Sequence, residues 1–476
     1  MFDTGVRQFR MAMAMVWGRR LDPANVGRLV GDVLATIAEF GAPSAEAQEI
    51  LGGPLADPEE RLDFASRCLR RTARRLAARS PFYARRFAGL PAEPAELDVA
   101  ALRAIPVTTK RDLVGRPADF LCAGVTPYLA TRTTGTTGRP AEVWLSRYEM
   151  ELWPALGALS AVLRGELRPG DIMQVNLSSR ATAAMHMSAG SCRLADVGCR
   201  LLGIVPPDEA LDSLGEGGVT VLLTCPSYLA ELVTAARRRG MGPGDFGLRR
   251  VTVGGEVLSV SLAAAACKTL GVPQVEDPYS ITEAIPVTAR ACSQGHLHHD
   301  VNLGFTELLD PATGEPAAPG ALGTLVITPY FPYRDCMPVF RYDTRDVARR
   351  LPDEELTCEV ADIPATGQIL GKADHLLRLG GEVITPRQLI DAVEALPTAP
   401  WPARYRAAAE GRRLRLTLPA SAVDGCGHAE ARRHLAGALG VDVDLAVVGD
   451  DQATSLRHTR SDLRETTFTQ HTLAGA

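Results

Sequence analysis

Lysine is almost missing from this chain. Of 51 basic residues only three are lysine, Lys110, Lys268 and Lys372, and some chemistry does not accept arginine in its place. A long apolar run is missing as well. Nothing approaches the roughly 18 consecutive apolar residues of a membrane-spanning helix, so no membrane partner is expected. The apolar stretch MAMAMVW (11–17) has no small-residue cleavage site behind it, so a signal peptide is not expected either. The ten cysteines lack the short regular spacings of a disulfide scaffold and read as reduced thiols of a cytoplasmic, enzyme-sized chain. An excess of one charge sign is also absent. With a net charge of −5 and interspersed signs, the arginine-rich RRTARRLAARS (70–80) reads as a solvated helix face, and nucleic acid is not an expected partner. There are no internal repeats.

What is present is the composition of an ordinary globular protein, 46% hydrophobic and 22% charged, over 476 residues. That length favours a large domain plus a smaller one. Residues 24–79 carry helical periodicity, and PVTTKRDL (106–113) offers a threonine N-cap to the next helix. Further on, DIMQVNL (171–177), VTVLLTC (219–225), RRVTVGG (249–255) and PQVEDPY (273–279) read as strands. PSYLAELVTAARRRG (226–240) and VSLAAAACKTLG (260–271) between them read as helices. This alternation predicts an α/β fold with mainly parallel sheets, helices on both faces and a ligand at the carboxyl ends of the strands.

GFTELLDPATGEPAAPGALGTLVIT (304–328) reads instead as an antiparallel hairpin in a small β subdomain, about 286–350. A turn-rich stretch, ADIPATGQILGKADH (361–375), marks a boundary near Gly371. The expected division is therefore a large domain over 1–370 and a small α+β domain over 371–476. The latter is predicted as helix (386–396), strands (402–408 and 412–418), helix (427–439) and strand (441–448).

The stretch TRTTGTTGRP (131–140) concentrates hydroxyls and glycines. It is not a Walker A loop, because Gly135 and Gly138 are too close and Arg139 is followed by Pro140. Read alone it is either a generic turn or a phosphate cradle, in which backbone N–H groups and threonine hydroxyls wrap phosphate oxygens.

Four later stretches follow it in order: VGGEVLS (253–259), DPYSITEA (277–284), FRYDTRDVARR (340–350) and GKADHLLRLGGEVITP (371–386). Together with SPFYARRF, IPVTTKRDL and TCPSYLAELV they resemble the adenylate-forming superfamily, which includes acyl- and aryl-CoA ligases, luciferases and peptide-synthetase adenylation domains. The resemblance is to the phenylacetate–CoA ligase branch and runs from about residue 80 to 396. It implies an ATP- and Mg²⁺-dependent enzyme that converts a carboxylic acid, aryl or small and apolar, to its acyl-AMP and passes the acyl group to coenzyme A. A carrier-protein thiol or an amine is the alternative acceptor, and a nucleotide-binding homologue without turnover is the alternative of another class. A homodimer is left open.

The resemblance also implies residue roles. Thr133, Thr134, Gly135, Thr136, Thr137 and Gly138 would hold the leaving pyrophosphate. Gly254, Gly255 and Glu256 would lie along the adenine, Tyr279 would stack on it, and Asp277 and Pro278 would shape its edge. Thr282 would meet the α-phosphate and Glu283 would bind Mg²⁺. Asp346 would accept hydrogen bonds from the ribose hydroxyls, with Lys372 standing where the family usually has arginine. Asp374 would be the hinge of a mobile small domain, and Gly380 and Gly381 would let the chain pass the pantetheine arm. Taken singly, Asp346 reads equally as a turn former, Tyr279 as a core aromatic and Glu283 as a helix-start acid; the ordered set carries the reading.

Two departures from the family stand out. The lysine expected near the C-terminus is absent from ATSLRHTRSDLRE (453–465), where Arg457, with Arg460 behind it, is the stand-in by position. Arg345 replaces a glycine in the family's R-Y-x-T-G-D stretch. Relatives in this branch also hold a structural zinc, for which Cys292, His298, Cys336 and Cys358 are the expected ligands, with His296 and His299 as substitutes for His298. Four unrelated thiols and imidazoles are the plain alternative. Met185 and His186, in SSRATAAMHMSAGS (178–191), fall where the branch lines its acyl pocket, although a methionine on a buried helix is more often core.

Overall fold

The computed structural model describes residues 2–41, 57–90, 94, 96–133, 140–179 and 181–456. Among them, no helix is long and apolar enough to cross a membrane. A five-stranded parallel sheet runs, edge to edge, Gly198–Leu201, Ile172–Asn176, Val221–Thr224, Arg250–Val253 and Val275–Glu276. Numbered along the chain this order is 2-1-3-4-5, the doubly wound pattern that leaves a crevice at the carboxyl ends of its strands. In the central strands Leu222, Val251 and Val253 are buried and pack with Leu229, Leu232, Leu262 and Ala266 of the helices Pro226–Arg238 and Val260–Leu270. Ser259 caps the second helix through the Leu262 amide, and Gly271, in the left-handed region at φ +76°, ends it.

Two four-stranded antiparallel sheets follow. Gly304–Leu309 pairs with Leu322–Pro329 in the expected hairpin, and the sheet continues through Tyr342–Arg349 to Gly371–Lys372. The other sheet joins Tyr279–Ser280, Thr288–Ala291, Leu297–His299 and Ala365–Thr366. The helical periodicity of 24–79 corresponds to Pro23–Phe40 and Pro58–Arg79. A hairpin that the sequence pattern did not flag pairs Pro127–Arg132 with Glu142–Ser146, the strands that precede and follow the threonine/glycine stretch in the chain.

Beyond residue 371, the strands Arg406–Glu410, Arg413–Pro419 and Asp442–Val448 form one sheet. The last two run parallel and are joined by the helix His428–Leu439. Leu414, Leu416, Leu435 and Leu445 share a core with Leu389 and Val393 of the helix Pro386–Glu394, and Val257 of the preceding region joins them. Arg387 fastens this part to the rest. It donates to the Ile369 and Leu258 carbonyls at 2.7 Å each and lies 3.5 Å from Asp277.

Candidate active site

The chain leaves the carboxyl end of one parallel strand as Gly254-Gly255-Glu256 and of the next as Asp277-Pro278-Tyr279. At Gly254 and Gly255 an added Cβ would meet nothing within 4 Å, and Gly255 lies at φ +82°. Both glycines therefore face open space, and Gly255 needs the conformational freedom of its residue type. Glu256 turns the other way. Its carboxylate accepts from the Ser227 amide at 2.8 Å and hydroxyl at 2.9 Å, satisfying the first turn of the helix Pro226–Arg238.

Asp346 stands on the strand Tyr342–Arg349 directly opposite Lys372 in the antiparallel pairing, so backbone register alone brings the two together. The Lys372 ammonium donates to Asp346 Oδ2 and to the Thr344 carbonyl, both at 2.9 Å. The Tyr279 hydroxyl donates to the same Oδ2 at 2.8 Å. Burial, with the Asp346 charge second, pushes the Tyr279 phenol well up, so it remains a donor. Among the described residues, Oδ1 of this buried carboxylate takes no side-chain hydrogen bond and is open to a further donor. On the same strand, the Tyr342 hydroxyl donates to Glu283 Oε1 at 3.0 Å. Burial, followed by the nearby Glu283 charge, also raises the Tyr342 phenol. Glu283 is held in a single turn, Thr282–Ala284, that follows the strand bearing Tyr279.

The antiparallel strand thus gathers Tyr279, Glu283, Asp346 and Lys372 at the carboxyl edge of the parallel sheet, from segments up to 93 residues apart. Thr133 is buried at the foot of the hairpin loop, its hydroxyl accepting from the Ala141 amide at 3.0 Å. Thr134, Gly135, Thr136, Thr137 and Gly138 lie outside the described residues, as does Arg457. Asp374 is linked to Arg345, whose guanidinium donates to Asp374 Oδ1 at 2.6 Å. Arg345 sits at φ +62°, in the left-handed region that favours glycine. Gly380 and Gly381, at φ +58° and +106°, form the turn between Leu377–Leu379 and Glu382–Ile384. On the helix Thr182–Leu194, Met185 is half-buried and His186 is exposed.

The expected zinc set is corrected in one member. Cys292, His296, His298 and Cys358 place one ligand atom each within 4.8 Å of one another. Cys336 is not among them. It is fully buried elsewhere, its amide 3.3 Å from Glu149, and burial pushes its thiol up to about 12. His296 takes its place because the turn before Leu297–His299 lays it beside Cys292, whose amide donates to the His296 carbonyl at 3.0 Å. The donors suit a tetrahedral ion. His298 Nδ1 donates to the Ile363 carbonyl at 2.9 Å, which turns the Nε2 lone pair toward Cys358 Sγ, 3.2 Å away. His296 Nδ1 is buried without a hydrogen-bond partner among the described residues, the condition a bound cation would relieve.

Three features of the candidate site escaped the sequence reading: Tyr342 as the holder of Glu283, the Thr344 carbonyl as an acceptor for Lys372, and the placement of Lys110. Tyr342 and Thr344 flank Asp343 in FRYDTRD, so their nearness to the site was readable. Lys110 lies 173 residues before Glu283 and gave no such signal. Burial lowers its proton affinity, while the Glu283 charge raises it and the Lys372 charge lowers it.

The AMP-binding enzyme family matches residues 119–330. The phenylacetate-coenzyme A ligase of Pseudomonas putida is 27% identical over 322 residues, covering 66% of this chain and 71% of that protein. The Thermus thermophilus protein of the same name is 27% identical over 343 residues, covering 69% and 74%. Among solved structures, 2-hydroxyisobutyryl-CoA ligase in the postadenylation state with 2-HIB-AMP matches with a TM-score of 0.71 at 21% identity, over 86% of this chain and 91% of that one. ATP-bound MatB from Rhodopseudomonas palustris matches with a TM-score of 0.52 at 18% identity, over 67% and 64%.

Proposed function

With the adenylate-forming superfamily, in its phenylacetate–CoA ligase-like branch, as the family of this chain, we propose that it activates a carboxylic acid with ATP and transfers the acyl group to coenzyme A. The observation that carries this reading is the convergence of Asp346, Tyr279, Lys372 and Glu283 at the carboxyl edge of the parallel sheet. Asp346, buried, presents its Oδ1 to the ribose hydroxyls, and Lys372 and Tyr279 hold the other oxygen still. The open side of Gly254 and Gly255 accommodates the adenine, with the Tyr279 ring against it. Thr282 faces the α-phosphate, and the loop 134–138, starting from Thr133, receives the pyrophosphate. Glu283, steadied by Tyr342, would hold Mg²⁺, which when bound offsets phosphate charge.

Asp374 is the hinge in this reading. The part beyond it swings so that Gly380 and Gly381 line the approach of the CoA thiol, and Arg457 approaches the phosphates from the tail. Met185 and His186 border the acyl group, and the acid is aryl or small and apolar. Cys292, His296, His298 and Cys358 hold a structural Zn²⁺ that ties the hairpin Thr288–His299 to the segment around Cys358. The protein acts in the cytoplasm on a free small-molecule acid.

Pyrophosphate exchange with a panel of aryl and short apolar acids tests the reading. Acid-dependent exchange is expected, with CoA-thioester as product when CoA is added. Glu283→Ala and Asp346→Ala are expected to lower exchange by about 100-fold or more each. Full exchange in either variant contradicts the assignment, and acyl-amide or acyl-carrier products in place of the thioester would change the acceptor.

A further inference from the structure

Three sulfur atoms meet on one face of the parallel sheet. Met173 on the strand Ile172–Asn176 and Cys199 on the edge strand Gly198–Leu201 are direct partners in the parallel register, so their side chains leave the sheet on the same side. The helix Thr182–Leu194 brings Cys192, in its last turn, to Met173, with Sγ and Sδ 3.7 Å apart. The chain then reverses tightly. The Val197 amide donates to the Cys192 carbonyl at 2.9 Å, and Asp196 takes the left-handed conformation, φ +56°, that ends many helices. Seven residues after Cys192 the chain is therefore back beside it as Cys199, and the two thiols hydrogen-bond to each other.

The two thiols stand in different surroundings. Cys192 is fully buried, whereas Cys199 is exposed at the sheet edge. The Cys192 S–H donates to Cys199 Sγ. That hydrogen bond, followed by burial, raises the Cys192 thiol, and the same bond, opposed by burial, lowers the Cys199 thiol. An exposed sulfur held toward its thiolate form is the nucleophile of such a pair, because the thiolate and not the thiol attacks an oxidant. A buried thiol in contact with it is placed to resolve the oxidised sulfur.

We propose that Cys199 and Cys192 form an oxidant-responsive dithiol, in which a hydroperoxide closes a disulfide between the edge strand and the last turn of the helix Thr182–Leu194. The site is separate from the ligase reading and does not depend on it. In the first step the Cys199 thiolate attacks one peroxide oxygen. An S–O bond forms, the O–O bond breaks, and the departing oxygen takes a proton from solvent, leaving as an alcohol or, from hydrogen peroxide, as water. In the second step Cys192 Sγ attacks the sulfenic sulfur of Cys199. The S–S bond forms, the S–O bond breaks, and hydroxide leaves with the Cys192 proton as water. The sulfur pair gives up two electrons and the peroxide takes them, and a thiol reductant reverses the bond by exchange. In the oxidised form the sheet edge is covalently joined to the helix that bears Met185 and His186.

Trypsin cuts after Arg193 and Arg200, so the two cysteines fall in separate peptides, 181–193 and 194–200. The reduced, full-length wild-type chain is treated with a small excess of hydrogen peroxide, its remaining thiols are alkylated, and the unreduced digest is read by mass spectrometry. The expected product is 181–193 joined to 194–200 by one disulfide, separated again by dithiothreitol. Cys192→Ser is expected to stop at the sulfenic acid of Cys199, captured by a 1,3-diketone probe, and Cys199→Ser to leave Cys192 reduced. Without oxidant, iodoacetamide is expected to label Cys199 about tenfold faster than Cys267, whose thiol is pushed up by burial. Wild-type peptides that both carry the alkyl group after peroxide would overturn the pair. So would a disulfide from Cys199 to any other cysteine, or Cys199 driven to sulfinic acid while Cys192 stays a free thiol.

Discussion

At the scale of single residues, Arg345 shows two small energies set against each other. Holding a non-glycine residue in the left-handed region costs roughly 1–2 kcal/mol, and Arg345 does so at φ +62°. Its ion pair with Asp374 joins side chains that are 38% and 49% exposed, so it contributes no more than about 1 kcal/mol. Glycine would relieve the strain but lose roughly 0.5–1 kcal/mol of backbone entropy on folding. Arg345→Gly is therefore expected to match the wild type within about 1 kcal/mol in urea denaturation, and Arg345→Ala, strained and unpaired, to unfold at lower urea than the glycine variant. Equal midpoints for Ala and Gly would show that the left-handed conformation carries no cost here.

At the scale of elements, Asp171 ties the first strand of the parallel sheet to its neighbours. Its carboxylate accepts from Thr220 Oγ1 at 2.7 Å, the Arg168 amide at 2.7 Å and Arg249 Nε at 2.9 Å. Burial alone would raise its proton affinity, but the hydrogen bonds from Arg249, Thr220 and Arg168 outweigh it and hold the carboxyl below its ordinary value. The folded state thus binds this proton less readily than the unfolded one. The stabilisation is present above the ordinary value of 3.8 and fades as pH falls through the folded value. Asp171→Asn is expected to lose about 2 kcal/mol near neutral pH and to lose less than the wild type on acidification; parallel acid limbs would argue against the ionised carboxylate as the cause. The proposed zinc set belongs to this scale too, because its residues come from the hairpin Thr288–His299 and from the segment around Cys358. Elemental analysis is expected to find one zinc equivalent in the wild type and in Cys336→Ser, and none in Cys292→Ser or His296→Ala. Chelation is expected to lower the melting temperature. Metal lost from Cys336→Ser and kept in His296→Ala would restore the ligand set expected from sequence.

At the scale of the molecule, Arg387 is the joint between the region beyond residue 371 and the parallel sheet. Its planar guanidinium serves two carbonyls and faces Asp277 at once. Removing it takes this donor from the Leu258 and Ile369 carbonyls and this charge from beside Asp277. Arg387→Ala is expected to cost about 2–3 kcal/mol, and Arg387→Lys to recover little because an ammonium cannot span the same fork. Calorimetric unfolding measures both, and full recovery by lysine would show that charge alone, without the fork geometry, is what the joint needs.

The sequence alone determined what repeats locally. The strand Val221–Thr224 falls within its predicted stretch as a short, almost wholly buried run, and Arg250–Val253 falls within its own with Val251 and Val253 buried and Arg250 and Thr252 partly exposed. The helices Pro226–Arg238 and Val260–Leu270 follow from periodicity and end signals, and the ordered motifs singled out Tyr279, Glu283 and Asp346, which the hydrogen bonds of Tyr279 to Asp346 and of Tyr342 to Glu283 bring together at the candidate site. Tertiary structure decided what depends on which segments meet. Cys336 and His296 are equally good donors on paper, and only the turn before Leu297–His299 and the burial of Cys336 beside Glu149 separate them. Lys110 reads as one helix-start residue among many until Thr108 is seen pinned to Arg341 and Asp343. Side-chain chemistry is written in the order of the chain, whereas proximity between distant segments is fixed by strand register and packing, and so it appears only once the chain has folded.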